Sequence, residues 1–180
     1  MGRIEVITGP MFAEKTTELL RRLYRSKRAR QAFLLVKPSI DKRYSETEVV
    51  THTGISVPAT IVSSNQDIIT AWEAAGCPKV LGIDEGQFLP DLPALCEDMA
   101  NKGVRVIVAG LDLGYKGRPF GPMPELLALA DQVTKLTAIC EVCGEDATKT
   151  HRLVPVEGLN VIGGAECYEA RCRAHFTRGA

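Results

Sequence analysis

The sequence predicts an α/β protein: a parallel sheet covered on both faces, followed by a small C-terminal segment of a different character. Three observations carry that expectation. Short apolar runs alternate with amphipathic stretches from the first residues to about residue 138, which is the pattern of parallel strands joined by crossover helices. Two of the apolar runs end in loops rich in chemistry, Gly9-Pro-Met-Phe-Ala-Glu-Lys15-Thr16-Thr17 and Asp84-Glu85-Gly86-Gln87-Phe88. Beyond residue 139 the composition changes to closely spaced Cys and His.

Taken in order, Arg3–Thr8 reads as a strand that turns through the Gly9–Lys15 loop into a helix from about Thr16 to Ala29, with Leu19, Leu20 and Leu23 at helical spacing. Arg21, Arg22, Arg25, Lys27, Arg28 and Arg30 make its other face basic, which we read as a solvated face. Ala32–Lys37 is a second buried strand ended by Pro38. The polar stretch from Pro38 to Gly54 has no firm period and fits a lid or a surface loop equally. Val57–Val62 is a short strand, and the helix from Gln66 to Ala75 is terminated by Gly76-Cys77-Pro78. Lys79–Ile83 forms a strand running into the acidic loop, and Pro90-Asp-Leu-Pro93 opens a helix through Leu95, Cys96 and Met99. Val104–Ala109 is the most strand-like run. The Gly- and Pro-rich loop Gly110–Pro122, a short helix Met123–Ala130 and a last strand Gln132–Ala138 complete the first part.

At 180 residues the chain is long enough for one main domain with a small satellite, 1–138 and 139–180. Lys plus Arg and Asp plus Glu both number 22, so the summed charge favours neither a nucleic-acid wrapper nor a membrane-surface binder. No apolar run reaches membrane-spanning length and no leader opens the chain, so the expected location is the cytoplasm. Six cysteines in such a chain are expected to be reduced thiols or metal ligands. Cys77 and Cys96, in apolar surroundings, are expected to be buried.

The strand–loop–helix at the N-terminus approximates the pattern G-x-x-x-x-G-K-[ST], in which loop amides and a helix N-terminus face phosphates, a lysine reaches the outer ones and a hydroxyl ligates magnesium. Glu14 stands at the second glycine. A carboxylate ending a neighbouring parallel strand can hold the magnesium side of the same triphosphate. Asp84 fits that post, which leaves the adjacent Glu85 free to act as a base. Ligands of open α/β sheets bind at the C-terminal ends of the strands, where Tyr115 and Phe120 are candidates for the walls of an acceptor pocket. Cys140-x-x-Cys143 and Cys172-x-x-His175 form two pairs suited to a tetrahedral, structural zinc, with Cys167 left over. Between them Val154–Ile162 is expected to form two strands, and Gly163-Gly164 allows close backbone approach to a flat ligand.

Together these pieces resemble the type II thymidine kinases, a cytosolic family. The matching stretches are Ile7–Phe12 with Lys15–Leu20, Lys37–Tyr44, Asp84–Phe88, Gly110–Asp112 through Arg118–Gly121, and Val161–Ala165 with Tyr168. The resemblance implies transfer of the γ-phosphoryl of ATP to the 5′-hydroxyl of thymidine, with Mg2+ and a structural Zn2+. It places ATP against Gly9, Pro10, Met11, Phe12, Ala13, Glu14, Lys15, Thr16 and Thr17, with Arg43, Asp84 and Gln87, and magnesium between Thr16 and Asp84. Glu85 becomes the general base. Phe88, Leu111, Tyr115, Phe120 and Tyr168 line the thymidine site, with the backbone of Val161, Ile162, Gly163 and Gly164 on the thymine. A homotetramer with dTTP as feedback inhibitor is also implied. In this sequence His175 stands where many members have cysteine, and Glu14 where the family has glycine. The alternative reading is a zinc-containing module that binds nucleoside or nucleic acid without effective turnover.

Overall fold

The computed structural model describes residues 1–40, 48–50, 56–154 and 163–177. In chain order the elements are β1 (Arg3–Thr8), α1 (Lys15–Arg28), β2 (Phe33–Pro38), β3 (Glu48–Val50), β4 (Ser56–Pro58), β5 (Thr60–Val62), α2 (Asn65–Ala74), β6 (Val80–Ile83), α3 (Leu92–Asn101), β7 (Arg105–Gly110), α4 (Met123–Leu129), β8 (Gln132–Lys135), β9 (Ala138–Ile139), β10 (Asp146–Ala147), β11 (Lys149–Arg152) and β12 (Tyr168–Arg171). A 3₁₀ turn, Gly86–Phe88, follows β6.

A six-stranded sheet of order β5-β2-β6-β7-β1-β8 forms the centre, and every pairing in it is parallel. Parallel strands need long crossovers, and the helices supply them while covering both faces, which is why these strands read as apolar runs. Strand alternation sorts the side chains. Ile4, Val6, Val106 and Val108 pack against Ile68 of α2, Leu95 and Met99 of α3 and Leu126 of α4. Ile7, Ile107 and Ala109 face the opposite way, onto Leu19, Leu20 and Leu23 of α1. Val49 and Val57, from the antiparallel β3–β4 pair, join this second layer.

Three expectations are corrected here. The single strand expected over Val57–Val62 is divided: Ser56–Pro58 pairs with β3, whereas Thr60–Val62 joins the main sheet, with Ala59 between them. Arg22 is buried rather than solvated, because it lies beside the Leu19/Leu23 stripe of α1 and answers the buried Glu5 of β1, its Nη1 donating to Glu5 Oε2 at 2.8 Å. Arg105 and Arg3 also donate to Glu5, and the three guanidiniums outweigh the burial that would raise its carboxyl, holding it at about 2. Cys77 is exposed. Gly76 and Cys77 both have positive φ (79° and 55°) and carry the chain off the end of α2 with the thiol outward. Cys96 is fully buried, as expected, and burial pushes its thiol up to about 12.

Among the described residues, the C-terminal part contains two antiparallel pairs, β9–β10 and β11–β12. The strands expected over Val154–Ile162 fall almost wholly outside the described residues; those seen lie to either side of that stretch.

Candidate active site and metal centre

β1 delivers the chain to the C-terminal edge of the sheet between β7 and β8, with Thr8 opposite Gly110 and Lys135. The next residue must be glycine. Its φ is 146°, and a Cβ there would stand 2.4 Å from the Leu136 carbonyl oxygen. The loop then passes through two non-glycine residues in the left-handed region, Phe12 (φ 66°) and Glu14 (φ 55°), before α1 begins at Lys15. Glu14 is exposed and makes no side-chain cap to the helix. With Phe12, Ala13, Thr17, Glu18, Arg21 and Leu136–Ile139 it lines a cleft of about 520 Å³. The Lys15 ammonium donates to the Pro10 carbonyl at 2.6 Å, closing the loop on itself.

Across the sheet edge, Thr16 Oγ1 lies 3.0 Å from Asp84 Oδ2 and 3.3 Å from Oδ1. Asp84 is buried at the end of β6. Glu85 follows with φ 51°, in the left-handed region, and its backbone N–H donates to Asp84 Oδ1 at 3.0 Å. Its carboxylate accepts from the amide nitrogen of Gln87, whose Oε1 accepts from the Leu111 N–H at 3.0 Å. Gln87 is only 3% exposed, so this amide clamps the carboxylate to the start of the Gly110–Pro122 loop. Sequence reasoning grouped Gln87 with the nucleotide contacts; nothing in Asp-Glu-Gly-Gln marks the glutamine as a clamp. Asp112, quoted only as part of a motif, is also buried and pairs with Lys135 at 2.7 Å.

Phe88 and Phe120 meet edge-to-face with centroids 5.7 Å apart, while the Tyr115 ring carries the Arg152 guanidinium 4.7 Å from its centroid. Tyr168, on β12, is buried. Gly163 and Gly164 lead into it, the Gly164 carbonyl accepting from Cys167 and Tyr168 N–H, both at 3.1 Å. Arg43, Val161 and Ile162 lie outside the described residues.

Cys140, Cys143, Cys172 and His175 bring their ligand atoms within 4.8 Å of one another. Tetrahedral zinc with Zn–S near 2.3 Å requires thiolate edges of about 3.8 Å. The Cys143 and Cys172 sulfurs are 3.8 Å apart, and His175 Nδ1 is 3.2 Å from Cys172 Sγ and 3.9 Å from Cys140 Sγ. The donor set therefore fits zinc, with four protein ligands and no position left open. Burial would raise the Cys140 thiol, but backbone amides of Cys172, Val142 and Cys143 outweigh it and bring it down to about 6, toward the thiolate a metal needs. Cys167, half-buried, is not among the four, as expected.

A parallel sheet whose first strand enters a phosphate-type loop and helix, facing an acidic strand end, defines a protein of the P-loop class, here with an attached metal centre. A family model described as thymidine kinase matches residues 2–176. A thymidine kinase of Rhodothermus sp. is 50% identical over 177 residues, covering 98% of this chain and 82% of the relative. One from Bacteroides thetaiotaomicron is 47% identical over 178 residues, covering 98% and 88%, and one from Deinococcus deserti 47% over 189 residues, covering 97% and 94%. The chain belongs to the thymidine kinase family.

Proposed function

We propose that the protein transfers the γ-phosphoryl group of ATP to the 5′-hydroxyl of thymidine, giving dTMP. The observation that supports this reading is that two adjacent carboxylates have different partners: Asp84 meets the Thr16 hydroxyl at the start of α1, while Glu85 is held by the Gln87 side chain. Lys15 and backbone amides at the start of α1, from Ala13 to Thr17, bind the phosphates. Thr16 and Asp84 would hold magnesium, which neutralises phosphate charge. Glu85, oriented by Gln87, takes the proton from the 5′-hydroxyl as that oxygen attacks phosphorus. The Lys15–Pro10 contact exchanges for one to the phosphates when ATP enters.

On this reading Phe88, Leu111, Tyr115, Phe120 and Tyr168 surround the nucleoside, and the backbone of 161–164 contacts thymine, while Arg43 approaches the phosphates. Cys140, Cys143, Cys172 and His175 hold zinc structurally, and residues 139–180 act as a unit attached to the 1–138 kinase domain. We assign the protein to the type II branch, with Glu14 in place of a glycine. It is then a cytoplasmic homotetramer inhibited by dTTP and without nucleic-acid or membrane partners. No helix among the described residues is long and apolar enough to cross a membrane. The test is thymidine-dependent ADP formation by the zinc-loaded protein with Mg-ATP, with dTMP identified by mass. Failure of the intact, zinc-loaded protein to form dTMP overturns the reading.

A further inference from the structure

The phosphate loop holds an uncommon conformation: of its three residues with positive φ, Gly9, Phe12 and Glu14, only the glycine, which lacks a Cβ, adopts such angles readily. Such a loop persists only where its surroundings determine it. Part of that support comes from a distant stretch of the chain. The Met11 N–H donates to Thr150 Oγ1 at 3.0 Å. Thr150 is 4% exposed and sits on β11, one of the strands of the metal-bearing segment. Next to it, Ala13 is buried in one apolar cluster with Ala138, Ala147, Ala170 and the metal-ligand residues Cys140 and Cys172, and Phe12 packs on that cluster. The loop tip is therefore clasped from one side by the segment that zinc would hold together.

We propose that Thr150 is a positioning residue for the ATP phosphates: by accepting the Met11 N–H it fixes the strained tip of the phosphate loop, and it makes the metal-bearing segment a support for ATP binding as well as for thymidine. The proposal rests on the phosphotransfer reading of the loop. A β-strand threonine has no signal of its own in sequence, because the hydroxyl is identified only by the amide it meets. Hydrogen bonds of this kind carry a few-fold to about tenfold in an equilibrium constant.

The experiment compares the full-length, zinc-loaded wild type with Thr150→Val, which keeps the side-chain shape and removes the acceptor, and with Thr150→Ser, which keeps the acceptor. Mg-ATP and thymidine affinities are measured by calorimetry, alongside zinc content and thermal midpoint. The expected result is an ATP affinity about fivefold weaker in Thr150→Val and restored in Thr150→Ser, with thymidine affinity and zinc content unchanged in both. An unchanged ATP affinity in Thr150→Val overturns the proposal. So does an equal loss for both ligands with a lowered midpoint, which marks Thr150 as a packing residue. Absence of ATP binding by the wild type instead overturns the phosphotransfer reading itself, and this inference with it.

Discussion

Replacing Glu14 with glycine tests what a carboxylate in the left-handed region costs at the entry to α1. At φ 55° and ψ 32° Glu14 is in the left-handed region, a state that costs a non-glycine residue of order 1–3 kcal/mol. Glycine removes that strain, but its freer unfolded chain takes back about 0.4–1 kcal/mol, so the folded state gains up to ~2 kcal/mol. No helix cap is lost, because the Glu14 side chain makes none. The second effect is electrostatic. At ~8 Å in a solvent-like dielectric, one negative charge opposes another by about 0.5 kcal/mol, so Mg-ATP with a net charge of about −2 is repelled by roughly 1 kcal/mol. Glu14→Gly should then bind Mg-ATP about fivefold more tightly, with a raised urea midpoint. Calorimetry at low and high salt separates the terms: the electrostatic part shrinks with added salt, and the part due to a better-formed loop persists. Equal affinity and equal midpoint in the two proteins would refute the reasoning and show that the loop holds a carboxylate at no cost.

Glu85→Gln should lower kcat by about 10²-fold with little change in thymidine affinity, and an unchanged kcat would remove Glu85 from proton transfer. Cys140→Ser should abolish stoichiometric zinc, whereas Cys167→Ala should retain one zinc per chain; metal analysis of the purified variants decides. Glu5, held at about 2 in the folded state and normal when unfolded, contributes stability that is complete above roughly pH 4.5 and lost as pH falls toward 2. Urea midpoints of the wild type should therefore fall across that window. Glu5→Gln, which takes the buried carboxylate from Arg22 and Arg105 while Arg22 keeps its ion pair with Glu18, should be less stable at neutral pH and show a flatter acid dependence.

The strand and helix order was legible because parallel strands buried on both faces leave long apolar runs with helical spacing between them. Most boundaries moved by a residue or so, as at β1–α1, where α1 starts at Lys15, but the last strand expected over Gln132–Ala138 ends at Lys135 and Ala138 begins β9, which pairs with β10. The metal ligands were legible from two short-range pairs, since residues three apart on a turn are already neighbours. Arg22 and Cys77 were misread for opposite reasons. Arg22 is buried because a glutamate on another strand demands it, a long-range partner no local pattern shows, and Cys77 is exposed because positive φ at Gly76 and Cys77 turns the chain outward. Gln87 and Thr150 each accept a backbone N–H from a distant part of the chain, Leu111 and Met11, so their residue type alone did not show these contacts.

The pairing of β1 has a consequence for the order in which the molecule assembles. Its partners are distant in the chain, Arg3 against Arg105 and Glu5 against Gln132, whereas β2 meets β5 and β6 across much shorter stretches. Closing long loops is entropically expensive before the contacts return it, so β5, β2, β6 and β7, where Val80 of β6 meets Arg105 of β7, are expected to associate early and β1 with β8 late. Until then the first strand of a growing chain is an apolar ribbon with both edges open, the kind of segment that pairs with the wrong neighbour. In refolding from urea, recovery of helical signal should precede recovery of ATP binding, since the loop proposed to grip phosphate hangs from a strand expected to be placed late.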